Sequence, residues 1–257
     1  MKSSNFDELL DLAIGAAKAA GELLNTRPAV FDISQKSSAV DFATQMDIAS
    51  EKLIVERILA ARPDDGIIGE EGSDRASTSG YTWVIDPLDG TVNYFYGMPG
   101  WNVSIAVKDG DGVAAAAVYA PSINSLWTAT RGGGAFLNGL AISCNDPITL
   151  DRALIGTGFS YDLGKRQEQA SLVARLIPLI RDLRRNGAAA VDLCSIAMGA
   201  LDGYYEIGLK EWDLAAGGLI ASEAGAIISG RAGGPAGEEM VIAAGPALHA
   251  RLIAEIG

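Results

Sequence analysis

Two secondary-structure patterns follow each other along the chain, and the change comes at about residue 150. Before it, the apolar runs 103–107 and 113–119 flank a short Lys-Asp-Gly-Asp-Gly turn, which predicts an antiparallel hairpin. After it, short strands alternate with helices, such as those predicted over 165–183 and 188–199. Because each element must bury its apolar face against another, we expect an α+β protein of stacked sheet and helix layers.

The length suits one compact unit made of two closely joined halves. With 257 residues, the chain is long for one hydrophobic core and short for two. We expect residues 1–150 to form an N-terminal α+β half that carries most candidate metal ligands. Residues 151–257 would form an α/β half that contributes Asp213 and substrate contacts.

Two helices are predicted in the first half from the spacing of their apolar residues. The first covers residues 6–24, and the second runs from about residue 47 to residue 61 and ends before Pro63. In the second helix we expect Ile48 and Ile54 to face the core.

The charge of the chain bears on its partners and its location. The formal net charge is −12, which argues against nucleic acid or an anionic membrane as a partner because like charges repel. The first residues carry acidic groups where a signal peptide has its apolar core, and no apolar run approaches membrane-spanning length. We therefore expect a cytoplasmic protein with neither kind of partner.

Histidine and cysteine are too scarce for several catalytic chemistries. A Ser-His-Asp triad or a histidine-rich zinc site would have to use the single histidine, His249, which we expect to face solvent on the last helix. The two cysteines, Cys144 and Cys194, lack the arginine six positions later with which a thiol phosphatase binds phosphate. Leu150 and Ala200 stand there instead.

Acidic residues concentrate where predicted strands and helices meet loops. Carboxylates and backbone carbonyls are the usual ligands of Mg²⁺, and a glycine beside them lets backbone N–H groups approach an anion. This combination is typical of metal-assisted phosphoryl transfer to water. Asp-Pro and Asp-Gly also form solvated turns, so one such segment alone leaves that alternative open. The segments are Gly69-Glu70-Glu71-Gly72, Trp83-Val84-Ile85-Asp86-Pro87-Leu88-Asp89-Gly90-Thr91 and Glu211-Trp212-Asp213.

A further acidic segment, Asp109-Gly110-Asp111-Gly112-Val113, matches the pattern of phosphatases with an aspartyl nucleophile. That mechanism needs the first aspartate at the tip of a buried parallel strand. Here Lys108 precedes the segment and a strand-like run follows at once, so we interpret it as a hairpin turn.

Taken together, the motifs resemble the inositol monophosphatase family of Mg²⁺-dependent, lithium-sensitive phosphatases, over nearly the whole chain. The strongest motif runs from Trp83 to Asn93, and the second runs from Glu211 to Gly217. Supporting motifs are Asp41-Phe42-Ala43-Thr44-Gln45-Met46-Asp47, Gly69-Glu70-Glu71-Gly72 and Gly134-Ala135-Phe136-Leu137-Asn138-Gly139.

The resemblance implies an α-β-α-β-α layered sandwich, usually a homodimer, with two or three Mg²⁺ ions in each site. One ion would be held by Glu70, Asp86 and the carbonyl of Leu88. A second would be held by Asp86, Asp89 and Asp213, and a looser third by Glu70 through waters.

The resemblance also implies roles around the reacting phosphate. The phosphate would lie on the metals and on the backbone N–H groups of Gly90 and Thr91, beside Asp89. A metal-bound water would attack directly, oriented by Glu70 and by a hydrogen bond between Thr91 and Asp47. Lys36 and Glu71 would line the site.

The implied substrate is inositol monophosphate or a related small polyol or sugar phosphate. Glu206, with Ala189 near it, would contact the hydroxyls of the polyol; the alternative is a surface Glu206 paired with Lys210. Fructose 1,6-bisphosphate, histidinol phosphate, NADP and nucleotide 3′-phosphates remain open as substrates. A metal- and sugar-phosphate-binding regulatory protein without turnover is the alternative outside enzymes.

Overall fold

The structure, a computed structural model, describes residues 5–36 and 41–256. The α-helices in these residues are α1 (Asn5–Asn25), α2 (Gln45–Ala61), α3 (Thr91–Tyr96), α4 (Leu163–Leu176), α5 (Ala189–Ala197), α6 (Glu211–Glu223) and α7 (Pro246–Ile256). Helices α1, α2 and α5 begin and end within two residues of the bounds predicted for them.

The prediction that the fourth helix extends to residue 183 is wrong. Helix α4 ends at Leu176, two residues before Pro178, which has no N–H group to continue the helical hydrogen bonds. The chain then enters a short strand in which Leu183 pairs in parallel with Ile155.

A seven-stranded sheet is built from residues 66–141, within the first half of the sequence. Its strands follow one another in space as they do in sequence, with the first pair parallel and the others antiparallel. They are β3 (Gly66–Gly69), β4 (Thr82–Asp89), β5 (Asn102–Asp109), β6 (Gly112–Ala120), β7 (Ser125–Thr130), β8 (Gly134–Leu137) and β9 (Leu140–Ala141). The predicted hairpin is present, because Asp109 pairs with Gly112 between β5 and β6.

A five-stranded mixed sheet is built from the second half of the sequence. Its spatial order is β11 (Asp182–Arg184), β10 (Leu154–Thr157), β12 (Gly203–Glu206), β14 (Val241–Ala244) and β13 (Ile227–Ser229). A small antiparallel pair, β1 (Ile33–Gln35) and β2 (Phe42–Thr44), lies before α2.

Alternating side chains of the seven-stranded sheet pack against different helix layers. Trp83 and Ile85 of β4 join the core formed with α1 and α2, whereas Val84 between them joins the core formed with α5 and α6. This is the two-residue alternation of a strand that is covered on both faces. Burying each such large apolar side chain contributes about 1.5–3 kcal/mol.

The remaining layers follow from the same cores. Helices α5 and α6 also contact Tyr204 and Val241 of the five-stranded sheet, so they lie between the two sheets. Helices α4 and α7 cover its other face, against residues such as Tyr205 and Ile242. The order is therefore helix, sheet, helix, sheet, helix, and the expected α-β-α-β-α sandwich is confirmed.

Two expected side-chain environments are wrong. Ile48 is 53% exposed, because the buried face of α2 carries Met46, Asp47 and Ser50 in its first two turns. His249 is only 6% exposed; α7 buries it against β13, and its Nε2 lies 2.9 Å from Oγ of Ser229. None of the helices within the described ranges is both long and apolar enough to span a membrane.

Candidate functional site

A cavity of about 760 Å³ opens where strands of both sheets end. Its volume is in the range of small-molecule sites. Of the residues predicted for the site, all but Asp47 and Glu71 line this cavity. The lining set is Lys36, Glu70, Asp86, Leu88, Asp89, Gly90, Thr91, Ala189, Glu206 and Asp213.

An irregularity at the end of β4 brings Asp86 and Asp89 into the same space. Asp86 is paired with Ser104 of β5 and Asp89 with Asn102, so β4 has one extra residue between the two pairs. Side chains three residues apart in a regular strand point to opposite faces, and one extra residue restores the same face. Pro87 is tolerated because a bulge does not need its N–H group.

Asp89 is held in place by three hydrogen bonds. Its Oδ2 accepts from Nδ2 of Asn102 at 2.8 Å and from the backbone N–H of Ala190 at 2.9 Å. Its Oδ1 accepts from the N–H of Ala189 at 3.2 Å. The start of α5 is thereby tied to the end of β4, and the backbone of Ala189 faces Asp89.

Gly90 follows in a backbone conformation that favours glycine, with φ of 84°. A side chain there would be crowded as well as strained. Its Cβ atom would lie 3.2 Å from Cβ of Ala188 and 3.3 Å from the carbonyl of Gly187. The chain can therefore pass close to α5 and begin α3 at Thr91.

Asp213 reaches the cavity from the first turn of α6. Its Oδ2 accepts a hydrogen bond from the N–H of Lys210 at 2.6 Å and so caps the helix. The carboxylate meets the acids of β4 only through the fold, because Asp213 lies 124 positions after Asp89 in the chain.

Glu70 and Glu71 follow β3, and both pair with the ammonium group of Lys36. Nζ of Lys36 lies 2.8 Å from Oε1 of Glu70 and 2.6 Å from Oε1 of Glu71. Burial alone would lower the pKa of Lys36, but the two carboxylates outweigh it and raise that pKa. Burial raises the pKa of Glu71 to about 7, against the opposing effect of Lys36.

Asp86, Asp89 and Asp213 lie close enough together for their negative charges to repel one another. Burial, followed by the charges of Glu70, Asp89 and Asp213, raises the pKa of Asp86 well above its usual range. Burial also raises the pKa of Asp213, with Asp89 next in importance, and it raises the pKa of Asp89 to about 6. Oxygen donors that repel one another in this way suit a hard divalent cation.

The carboxylates would have to turn in order to bind such a cation. Within residues 5–36 and 41–256, no three Asp, Glu, His or Cys side chains are already arranged to hold a metal ion. The oxygens instead accept hydrogen bonds from Lys36, Lys210 and Ala190. The carboxylate oxygens are thus of the right chemical type for a hard cation, although their present orientation serves these hydrogen bonds. Lys36 supplies the positive charge next to Glu70.

Thr91 and Asp47 meet beside this acidic group. Oγ1 of Thr91 donates to Oδ1 of Asp47 at 2.9 Å, and Oγ1 also lies 3.1 Å from the carbonyl of Leu88. Oδ2 of Asp47 accepts from both the N–H and the hydroxyl of Thr44, so the same carboxylate caps α2. Burial raises the pKa of Asp47 despite the hydrogen bonds from Thr44 and Thr91.

Glu206 lies at the end of β12 and lines another part of the cavity, as expected for a substrate contact. It accepts a hydrogen bond from the hydroxyl of Tyr204, and burial raises its pKa to about 7. Its carboxylate lies against Gly158, where a Cβ atom would collide with it. The alternative of a surface pair with Lys210 is wrong, because Lys210 pairs with Glu238 at 3.0 Å.

Sequence reasoning missed several polar residues of the site, among them Asp192, Arg185 and Asn102. Asp192 and Arg185 line the cavity, and Asn102 lies behind Asp89. Asp192 stands in the first turn of α5, where an acid is ordinary, and Arg185 lies in a loop. Asn102 could be noticed as a polar residue inside an apolar strand pattern, but that pattern does not reveal its partner.

Comparison with known sequences identifies relatives over most of the chain. The model of the inositol monophosphatase family matches residues 5–257. "Inositol-1-monophosphatase SuhB" of Mycobacterium tuberculosis is 42% identical over 263 aligned positions, covering 94% of this chain and 90% of that protein. "Nus factor SuhB" of Escherichia coli K12 is 41% identical, covering 88% of this chain and 86% of that protein.

Solved structures of similar proteins share the fold. The extragenic suppressor protein suhB of Bartonella henselae superimposes with a TM-score of 0.92 at 30% identity, covering 97% of this chain and 98% of that one. Inositol monophosphatase from Anabaena gives a TM-score of 0.87 at 31% identity, covering 98% and 96%. Proteins of this family generally depend on metal ions. The chain therefore belongs to the inositol monophosphatase family, and it is a phosphatase that hydrolyses phosphoric monoesters, as its motifs predicted.

Proposed function

We propose that this protein hydrolyses inositol monophosphate or a related small polyol or sugar phosphate, with Mg²⁺ and by direct attack of water. The observation that carries the proposal is the convergence of Glu70, Asp86, Asp89 and Asp213 on one cavity beside the Thr91–Asp47 hydrogen bond. The names of the relatives support inositol monophosphate as the first substrate to test.

Two or three Mg²⁺ ions would be held by Glu70, Asp86, Asp89, Asp213 and the carbonyl of Leu88. When bound, Mg²⁺ supplies positive charge to the phosphate oxygens and lowers the pKa of a coordinated water. These side chains provide the oxygen ligands that Mg²⁺ prefers, and a bound cation would offset the burial and the mutual repulsion that raise the pKa values of Asp86 and Asp213. The ammonium of Lys36 would have to share Glu70 with the metal.

Thr91 orients the attacking water in this proposal. Its hydroxyl has one proton, which it donates to Asp47, so its oxygen keeps lone pairs to accept a hydrogen bond from water. Asp47 cannot turn away easily, because Thr44 donates two hydrogen bonds to it. Glu70 is the second residue that would direct the water, and the backbone of Gly90 and Thr91 would receive the phosphate.

Glu206 recognises the leaving alcohol in this proposal. A carboxylate accepts hydrogen bonds from vicinal hydroxyls, and Glu206 lines the same cavity as the proposed metal ligands. Burial raises the pKa of Glu206 to about 7, and the positive charge of Arg185 opposes that rise. Fructose 1,6-bisphosphate, histidinol phosphate, NADP and nucleotide 3′-phosphates are the alternative substrates. A regulatory protein without turnover is disfavoured because each proposed metal ligand and Thr91 is present.

The wider setting is also proposed from sequence and charge. We expect a cytoplasmic homodimer that lithium inhibits and that binds neither membranes nor nucleic acid. The net charge of −12 supports the last point. The Escherichia coli relative is called a Nus factor, and binding of nucleic acid by this chain would contradict this part of the proposal.

A phosphate-release assay tests the proposal. The purified protein is assayed on inositol 1-phosphate and on the alternative substrates, first with EDTA and then with increasing Mg²⁺. We expect Mg²⁺-dependent release that is fastest with inositol 1-phosphate. Faster release from another compound would make that compound the proposed substrate. No release from any of them would overturn the proposal that the protein is an enzyme.

A further inference from the structure

Asn102 is a fully buried amide at the first position of β5. Its neighbours in sequence, Trp101 and Val103, are apolar and belong to the core. The bulge in β4 places Asn102 directly opposite Asp89 across the two strands. A residue at this position therefore meets Asp89 whatever its chemistry, and here it is an amide.

The nitrogen and the oxygen of the Asn102 amide differ in their hydrogen bonding. Nδ2 lies 2.8 Å from Oδ2 of Asp89 and 3.5 Å from its carbonyl oxygen, both of which accept. Oδ1 is buried and has no hydrogen-bond partner among the described residues. Turning the amide over would bring its oxygen against the carboxylate, so the bond to Asp89 determines its orientation.

A buried oxygen without a partner costs free energy of folding. An apolar side chain of similar size would avoid that cost, but the carboxylate of Asp89 would lose a hydrogen-bond donor. What the amide contributes at this position is therefore its hydrogen bond to Asp89. Its neutral donor also leaves the negative charge of Asp89 intact, which a lysine or arginine would cancel.

We propose that Asn102 is a positioning residue for the metal site: it fixes the carboxylate of Asp89 so that the remaining lone pairs face the cavity. The N–H groups of Ala189 and Ala190 hold the same carboxylate from α5. Partners behind a metal ligand typically change metal affinity about 10–100-fold when removed. This inference rests on the proposed role of Asp89 in binding Mg²⁺.

The test measures metal binding without substrate. Asn102→Leu keeps a side chain of similar size but has no donor, and Asn102→Ala removes the amide altogether. Mn²⁺, which also prefers oxygen ligands, is titrated into each protein while the spectrum of free Mn²⁺ is followed by electron paramagnetic resonance. We expect both variants to bind Mn²⁺ about 10–100-fold more weakly than the wild type and to gain less thermal stability from Mg²⁺.

Ser104→Ala is the matched control. Ser104 is buried on the same strand, and its hydroxyl reaches the carbonyl of Trp212 at 3.5 Å rather than a carboxylate. Its Mn²⁺ affinity should equal that of the wild type. Wild-type affinity in Asn102→Leu would overturn the inference, as would unfolding of both Asn102 variants without metal. A wild type that binds neither Mn²⁺ nor Mg²⁺ would instead overturn the proposed function.

Discussion

The hydroxyl of Thr91 donates a 2.9 Å hydrogen bond to Asp47, a residue 44 positions earlier in the chain. Asp47 is fully buried and also accepts two hydrogen bonds from Thr44 at the start of α2. One carboxylate thus caps α2 and holds the first residue of α3. The direction of the Thr91 hydroxyl is consequently set by the helix layer that packs against β4.

Thr91→Ala should lower kcat much more than it raises KM. In the proposed function the hydroxyl directs the attacking water, which matters as the transition state forms and not when the substrate binds. A loss of about 10²–10⁴ in kcat is the usual scale for a group that orients or transfers a proton. Steady-state kinetics with saturating Mg²⁺ measures both constants.

Thr91→Ser is the control, because it keeps the hydroxyl and should retain most of the activity. An Ala variant in which only KM rises would show that Thr91 holds the phosphate and that another group directs the water.

Asp86→Asn and Asp213→Asn should each abolish Mg²⁺-dependent activity while the protein remains folded. Both aspartates are buried with raised pKa values, so replacing the charge by an amide removes a metal ligand without breaking an ion pair. Phosphate release and circular dichroism measure the two effects. Asp111→Asn, on the exposed hairpin turn, should behave as the wild type. Near-normal turnover in either buried variant contradicts the metal assignment.

Glu206→Ala should reduce kcat/KM for inositol monophosphate. The loss of transition-state stabilisation should be about 1–3 kcal/mol, the scale of a lost hydrogen bond to a charged group. Hydrolysis of an aryl phosphate should barely change, because that substrate offers no hydroxyl to the carboxylate. Glu238→Ala is the control, since Glu238 also lines the cavity but pairs with Lys165 and Lys210. Equal losses on the two substrates would mean that Glu206 supports the structure or the metals.

Asp192→Asn should remove part of the pH dependence of stability. Burial raises the pKa of Asp192 to about 8, although Asn186 donates a hydrogen bond that lowers it. The folded state therefore binds more protons than the unfolded state between about pH 4 and pH 8, and this group lowers the free energy of unfolding as pH rises. The variant should gain stability at neutral pH relative to acidic pH.

Urea unfolding in EDTA at several pH values measures this effect. Asp182→Asn is the control: Asp182 is exposed and Arg184 lowers its pKa, so its removal cannot produce the same gain. An unchanged pH profile in Asp192→Asn would show that Asp192 is ionised in the folded protein.

Several features of the fold follow from residues that are close in sequence. The β5–β6 hairpin depends on two apolar runs and the glycines between them, so it was predictable. The segment from Asp86 to Thr91 combines acids, a proline and a glycine within six residues, which was enough to predict a site at that strand end. The roles assigned to these residues stay predictions until metal and substrate binding are measured.

The predictions for Ile48 and His249 were wrong because the burial of these side chains depends on contacts between distant parts of the chain. Ile48 has an apolar side chain on a helix, yet the face of α2 that meets the sheet carries Asp47 and Ser50, which bond to Thr91 and to the carbonyl of Pro87. His249 is polar, yet α7 packs it beside Ser229 of another strand. The surface that packs against a helix decides which face of the helix is buried. The surfaces that cover α2 and α7 cannot be inferred from the sequences of these helices alone.

The acidic segments, the family and most of the helices could be predicted from the sequence, because these depend on residue types and their spacing. The partner of each acidic side chain could not, because it depends on tertiary contacts. The one-residue bulge sets Asp89 against Asn102, and Lys36 reaches Glu70 from 34 positions away. Such pairings require the register of neighbouring strands and the packing of separate layers, which form only when residues far apart in the chain come together.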